Sequence, residues 1–123
     1  MLNKSHLISF VATGNAEIAR EFYEKILGLT FVSMDQFALV MEVNGIMLRI
    51  TRVKVVNPQK YTVLGWDVPD IKKEVKELSE RGVKFARYHG IDQDELGIWT
   101  APGGAMIAWF TDPDNNILSL TQF

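Results

Sequence analysis

The stretch AMIAWFTDPDNNILSLT, running from Ala105 to Thr121, decides the fold. Two apolar runs flank a reversal built from Asp112, Pro113, Asp114, Asn115 and Asn116. Pro113 fixes φ, and short Asp and Asn side chains bond local backbone and tolerate left-handed geometry, so the chain turns back here. Ala105–Phe110 and Ile117–Thr121 are therefore expected to be strands. Along the second, Leu118 and Leu120 alternate with Ser119 and Thr121, which sends the two pairs to opposite faces.

Outward from this hairpin, the elements follow a repeated order. His6–Ala12 is a short, mostly apolar run suited to a strand. Asn15 offers an N-cap, Glu17 favours the positive end of the helix dipole, and Ala19, Phe22, Tyr23, Ile26 and Leu27 recur at helical spacing up to Gly28. Thr30–Ser33, Phe37–Val43 and Ile46–Arg52 follow as strands, with Asn44-Gly45 a two-residue hairpin signal. The second half repeats the plan. Tyr61–Trp66 reads as a strand, Pro69-Asp70 opens a helix carrying Ile71, Val75 and Leu78, and Gly82 closes it. Val83–Arg87 is expected as a further strand, with an extra one at Ile98–Thr100 before the Pro102-Gly103-Gly104 turn. The pattern is one α+β domain over residues 1–123, made of two βαβββ modules spanning 5–53 and 60–123 and forming a cupped mixed sheet. Leu48, Ile50, Leu118 and Leu120 are assigned to the helix side; Arg49, Thr51, Ser119 and Thr121 look into the cup.

Composition narrows the function. The apolar fraction of 47% and the charged fraction of 23% are ordinary for a globular protein. A net charge of −2 lacks the basic stripe of a nucleic-acid surface. The absence of cysteine removes disulfides, thiolate metal sites and a thiol nucleophile together. No apolar run approaches the ~18 residues of a membrane span. A cytoplasmic protein without nucleic-acid or membrane partners is the expectation.

Three motifs in the right order carry a resemblance. Ala19–Leu29 reads AREFYEKILGL, Asp67-Val-Pro-Asp70 precedes a helix and Gly82-Val83, and Phe110–Leu120 reads FTDPDNNILSL. The chain resembles the glyoxalase/bleomycin-resistance/dioxygenase superfamily, the vicinal oxygen chelate fold. That likeness implies two βαβββ modules in a partly closed cup, often completed by a second subunit. Enzymes of this family hold a divalent metal with four side chains, usually His, Glu or Gln, from the first and last strands of each module. Counting from the motifs, those positions are Ile8, Arg49, Val63 and Ser119. Isoleucine and valine donate no lone pair, arginine is a cation, and a lone serine is a poor ligand. The expectation is a protein with no metal and no cofactor.

The remaining candidates are aromatic. Tyr61, Phe10, Trp66 and Trp99 lie on or beside strands, and flat rings lining a cup would stack an apolar or aromatic molecule. Trp109, in an apolar strand, reads as core. Arg49 in a buried cup needs either an anionic group on a ligand or an internal acid such as Asp67. The expected ligand-binding set is Ile8, Phe10, Arg49, Thr51, Tyr61, Val63, Trp66, Trp99, Ser119 and Thr121. His6 reads as an exposed or edge-strand histidine. His89, Asp92, Asp94 and Glu95 read as a solvated loop without calcium-loop spacing. The resemblance thus implies a homodimer that binds a small molecule without a metal, like bleomycin-resistance proteins. The alternative is a glyoxalase- or dioxygenase-like enzyme acting on a small molecule, which needs either a different alignment of the metal ligands or metal-free acid–base chemistry using His89 or Asp67. A third is a regulatory module with a filled cup.

Overall fold

The computed structural model describes all residues 1–123. The chain forms two compact units, Met1–Asn57 and Pro58–Phe123. In the first, β1 (Ile8–Thr13) leads into α1 (Ala16–Arg20), followed by β2 (Thr30–Met34), β3 (Ala38–Val43) and β4 (Ile46–Arg52). These strands form one mixed sheet in the order β1-β4-β3-β2, with β1 parallel to β4 and the other pairs antiparallel. In the second, β5 (Thr62–Asp67) leads into α2 (Ile71–Glu80), followed by β6 (Trp99–Thr100), β7 (Met106–Thr111) and β8 (Ile117–Gln122). Its order, β5-β8-β7-β6, repeats the first. The α+β class and the duplicated plan are both present.

Local chemistry explains the element ends. Asn15 caps α1, its side chain accepting from Ile18 N at 3.2 Å, and the Thr13 hydroxyl bonds the Asn15 backbone from beneath. Beyond Arg20 the helix widens into a π-helical turn over Glu21–Ile26, where Leu27 N donates to Phe22 O at 2.9 Å. The wider turn lets the adjacent rings of Phe22 and Tyr23 both be buried, edge to face at 5.1 Å. Asp70 caps α2 by accepting from Lys73 N at 3.2 Å, and Ile71 N donates to the Gln122 side chain. Gly82, at φ +97°, takes the left-handed position that lets Val83 N return to Leu78 O at 3.0 Å and end α2. Asn44 and Gly45 both have positive φ, as the tight β3–β4 turn requires.

Each sheet buries one face against its own helix. Leu39, Met41, Leu48 and Ile50 are essentially inaccessible, as are Phe110, Ala108 and Leu118 in the second unit, where Ile71, Val75 and Leu78 supply the helical side. Two expectations fail. Val83–Arg87 is not a strand. It has one backbone bond to β7, from Ala86 N to Trp109 O at 2.8 Å, and the short β6 takes the β7 edge instead. Phe37, expected to open the strand 37–43, lies just outside β3 and is exposed. No helix is long and apolar enough to cross a membrane.

Candidate functional site

The side chains that matter in the second unit follow from β7. Because Ala108 and Phe110 are buried on the α2 side, Ile107 and Trp109 must point to the opposite face. Trp99 is the β6 partner of Ile107, so it shares that face. The rings of Trp99 and Trp109 stack with centroids 6.1 Å apart and an interplanar angle of 29°. Tyr88 approaches Trp109 edge-on at 5.5 Å and 83°. Such offset and edge-on arrangements match the quadrupoles of aromatic rings.

These rings border a cavity of about 470 Å³, lined by Lys60, Tyr61, Thr62, Tyr88, Ile91, Trp99, Trp109 and Ile117. That volume falls within the ~300–1,000 Å³ of small-molecule sites. The walls are rings and aliphatic chains, the polar groups are hydroxyls of Tyr61, Tyr88 and Thr62, and Lys60 is the one charged residue among them. A bulge in β5 shapes the rim. Thr62 pairs with Ile117 and Leu64 with Leu118, so Val63 is an extra residue between consecutive partners. A bulge of this kind re-aims the side chains beside it.

The residues picked from sequence divide. Tyr61 and Trp99 line the cavity. Ser119 and Thr121 lie on the same sheet, paired with Trp109 and Ile107, and Val63 sits at the bulge; none of the three borders the cavity. Trp66 is paired with Leu120 and stacks on Phe110 at 6.4 Å, on the α2 side. Ile8, Phe10, Arg49 and Thr51 belong to the first unit. Phe10 and Arg49 are register partners across β1 and β4, and Arg49 also faces Val40 on β3. Ile8 and Phe10 are 45% and 59% exposed. Arg49 is half-buried and has no carboxylate at ion-pair distance. Its charge, with that of Arg52, adds to the backbone donors of Ala38 and Phe37 that hold the Asp35 carboxyl below its ordinary pKa.

Sequence reading missed Trp109, Tyr88, Ile91, Thr62, Lys60 and Ile117. For Trp109 the signal existed: once Leu118 and Leu120 are given to the helix, strand pairing carries Trp109 to the other face. Tyr88 and Ile91 lie in a loop with no periodicity to read.

Chemistry beyond stacking is sparse. No group of three or more His, Asp or Glu side chains converges as a metal site would require. His6 and His89 are exposed. Asp94 serves its own loop, accepting from Leu96 N and Ile98 N, both at 2.9 Å.

Residues 5–120 match the family described as the Glyoxalase/Bleomycin resistance protein/Dioxygenase superfamily. The chain belongs to this superfamily. No curated protein matches it significantly. Solved structures share the fold. A superfamily member from Sphaerobacter thermophilus is 22% identical with a TM-score of 0.77, each chain covered fully. The bleomycin resistance determinant encoded on transposon Tn5 is 16% identical with a TM-score of 0.75, covering 97% of this chain and 98% of that one. A lactoylglutathione lyase from Agrobacterium tumefaciens is 13% identical with a TM-score of 0.73, covering 97% and 93%. The superfamily fold therefore houses both a resistance determinant and a lyase, and only the site can separate such functions. Here the positions that the motifs assign to metal ligands hold Ile8, Arg49, Val63 and Ser119. Two hydrocarbons, a cation and one hydroxyl do not fit a divalent metal.

Proposed function

We propose that this superfamily member binds a small, planar aromatic molecule without a metal, in the cavity between Trp109, Trp99, Tyr88 and Tyr61. The observation that carries the proposal is the ring arrangement itself: stacked indoles on the sheet and an edge-on tyrosine beside them, around about 470 Å³. A flat ligand would find a face to stack on, and Lys60 would favour an anionic group on it. An antibiotic-binding protein from Streptomyces shares the fold at 20% identity, a precedent at the level of the scaffold only. Superfamily members typically bind small molecules and are often dimeric. In this chain the exposed apolar side chains of Ile8, Phe10 and Met47 are the surface a second subunit would cover.

Two titrations test the proposal. Naphthoate, naphthamide and a naphthyl ammonium are followed by tryptophan fluorescence, with affinities expected to rank in that order. Metal-depleted protein is then titrated with zinc, nickel, manganese and iron(II) during thermal unfolding. A tight one-to-one metal site would raise Tm by mass action and defeat the metal-free reading. Absence of binding by all three naphthyl probes would defeat the aromatic one.

A further inference from the structure

The wall of the cavity that carries Tyr88 and Ile91 is not held as the floor is. Trp99 and Trp109 stand on paired strands. The segment from Val83 to Gly97 has no strand beyond an isolated bridge between Gln93 and Trp99, and from Ala86 to Gly97 its remaining backbone groups are met largely by side chains. Gln93 is central. Its Oε1 accepts from Tyr88 N at 2.8 Å, and its Nε2 donates to Ala86 O and to Gly97 O, both at 2.9 Å. Both amide protons are thus used, and one half-buried side chain ties together three backbone points that a ladder would otherwise join. Arg87 adds a clamp from the other side, its guanidinium donating to Asp94 O and Glu95 O.

We infer that Gln93 is a positioning residue: it fixes where Tyr88 stands against Trp109, and through Tyr88 it sets the shape of the cavity. Gln93 does not itself line that cavity. The consequence for ligand affinity rests on the proposed aromatic-binding role; the consequence for Tyr88 does not. Removing the amide leaves Tyr88 N, Ala86 O and Gly97 O without their protein partner at once. The edge-to-face contact of Tyr88 then depends on its ring alone.

The test compares wild type, Gln93→Leu, Tyr88→Leu and the double variant. In ligand-free protein, hydrogen exchange at the Tyr88 amide is expected to quicken about tenfold or more in Gln93→Leu, while α2 amides keep their rates. The near-ultraviolet circular dichroism of the ring cluster is expected to weaken with it. For naphthoate, each single substitution is expected to weaken binding about tenfold, and the double variant to be no weaker than Tyr88→Leu alone. Such non-additivity is what action through Tyr88 means, and general destabilisation would not produce it. Should Gln93→Leu not fold, Gln93→Glu keeps the shape and the acceptor for Tyr88 but loses both donors, and the same cycle is run with it. Unchanged Tyr88 exchange, or additive losses in the double variant, would overturn the inference. Failure of wild type to bind any naphthyl probe would overturn the aromatic-binding role instead, and the ligand-free exchange result would still decide whether Gln93 places Tyr88.

Discussion

The hydroxyl of Ser119 fills the space that a side chain on Gly65 would need. The two are register partners across β5 and β8, and a Cβ on Gly65 would stand 2.7 Å from Ser119 Oγ. Gly65→Ala is therefore expected to destabilise the protein by about 1–2 kcal/mol in urea unfolding, since serine must rotate in a nearly closed space. Adding Ser119→Ala should restore most of that loss. A single variant as stable as wild type would show that Ser119 swings aside without cost.

Trp66 and Trp109 lie on opposite faces of one sheet, so their substitutions should separate stability from binding. Trp66→Leu breaks the stack on Phe110 and is expected to lower stability by about 2 kcal/mol, leaving naphthoate affinity intact. Trp109→Leu should do the reverse, weakening naphthoate binding about tenfold or more, because it removes the ring that both Trp99 and Tyr88 touch. Fluorescence titration beside thermal unfolding distinguishes the two.

The turn that decides the fold is held by a buried carboxylate. Asp112 Oδ1 accepts from Asp114 N and Asn116 N at 2.9 Å each, and Oδ2 accepts from Asn116 Nδ2 at 2.9 Å. Asp112→Ala leaves those donors unmatched and should cost about 2–3 kcal/mol. Asp112→Asn is no remedy, because one of its two positions must present a second donor where an acceptor is needed. Equilibrium unfolding of both variants checks this, and an asparagine variant of wild-type stability would contradict it.

Asp35 links stability to acid. Its Oδ1 accepts from Phe37 N at 2.8 Å and Ala38 N at 2.9 Å, and its pKa is lowered, first by the Ala38 donor, then by Phe37, with Arg49 and Arg52 adding to the effect. A lowered folded-state pKa contributes stability above the unfolded value of about 3.9 and loses it as pH falls through the folded value. Asp35→Asn keeps an acceptor but removes the charge. The stability difference between wild type and Asp35→Asn should thus be constant near neutral pH and change only below about pH 4. A difference that varied between pH 5 and pH 7 would assign the effect to another group.

Much of the architecture was legible because it depends on local rules. Asn44-Gly45 can hardly be anything but a tight turn, and the alternation of Leu118 and Leu120 with Ser119 and Thr121 dictated the sheet's two faces. Val83–Arg87 misled because apolar alternation signals a strand only where a run of edge is free: β6 pairs with Met106 and Ile107, and the segment meets β7 by the single bond from Ala86 N to Trp109 O. Less of the candidate site was legible: of its eight lining residues only Tyr61 and Trp99 were anticipated. Tyr61 and Trp99 adjoin strands and could be placed; Tyr88 owes its position to Gln93, five residues on, by bonds that no periodicity announces. Trp66 was misdirected for a simpler reason: it was chosen as a ring on a strand, and its face is set by the pairing with Leu120, which turns it to the α2 side.

The wide turn over Glu21–Ile26 holds more residues than an α-turn needs to climb the same height. Length counted along the chain and length measured in space are uncoupled there. Removing one exposed residue, Glu21 or Lys25, would tighten the helix and turn one of the two adjacent rings off the buried face, while the strands kept their partners. The extra residue in that turn thus registers in the core and not in the sheet, because it is what seats Phe22 and Tyr23 side by side.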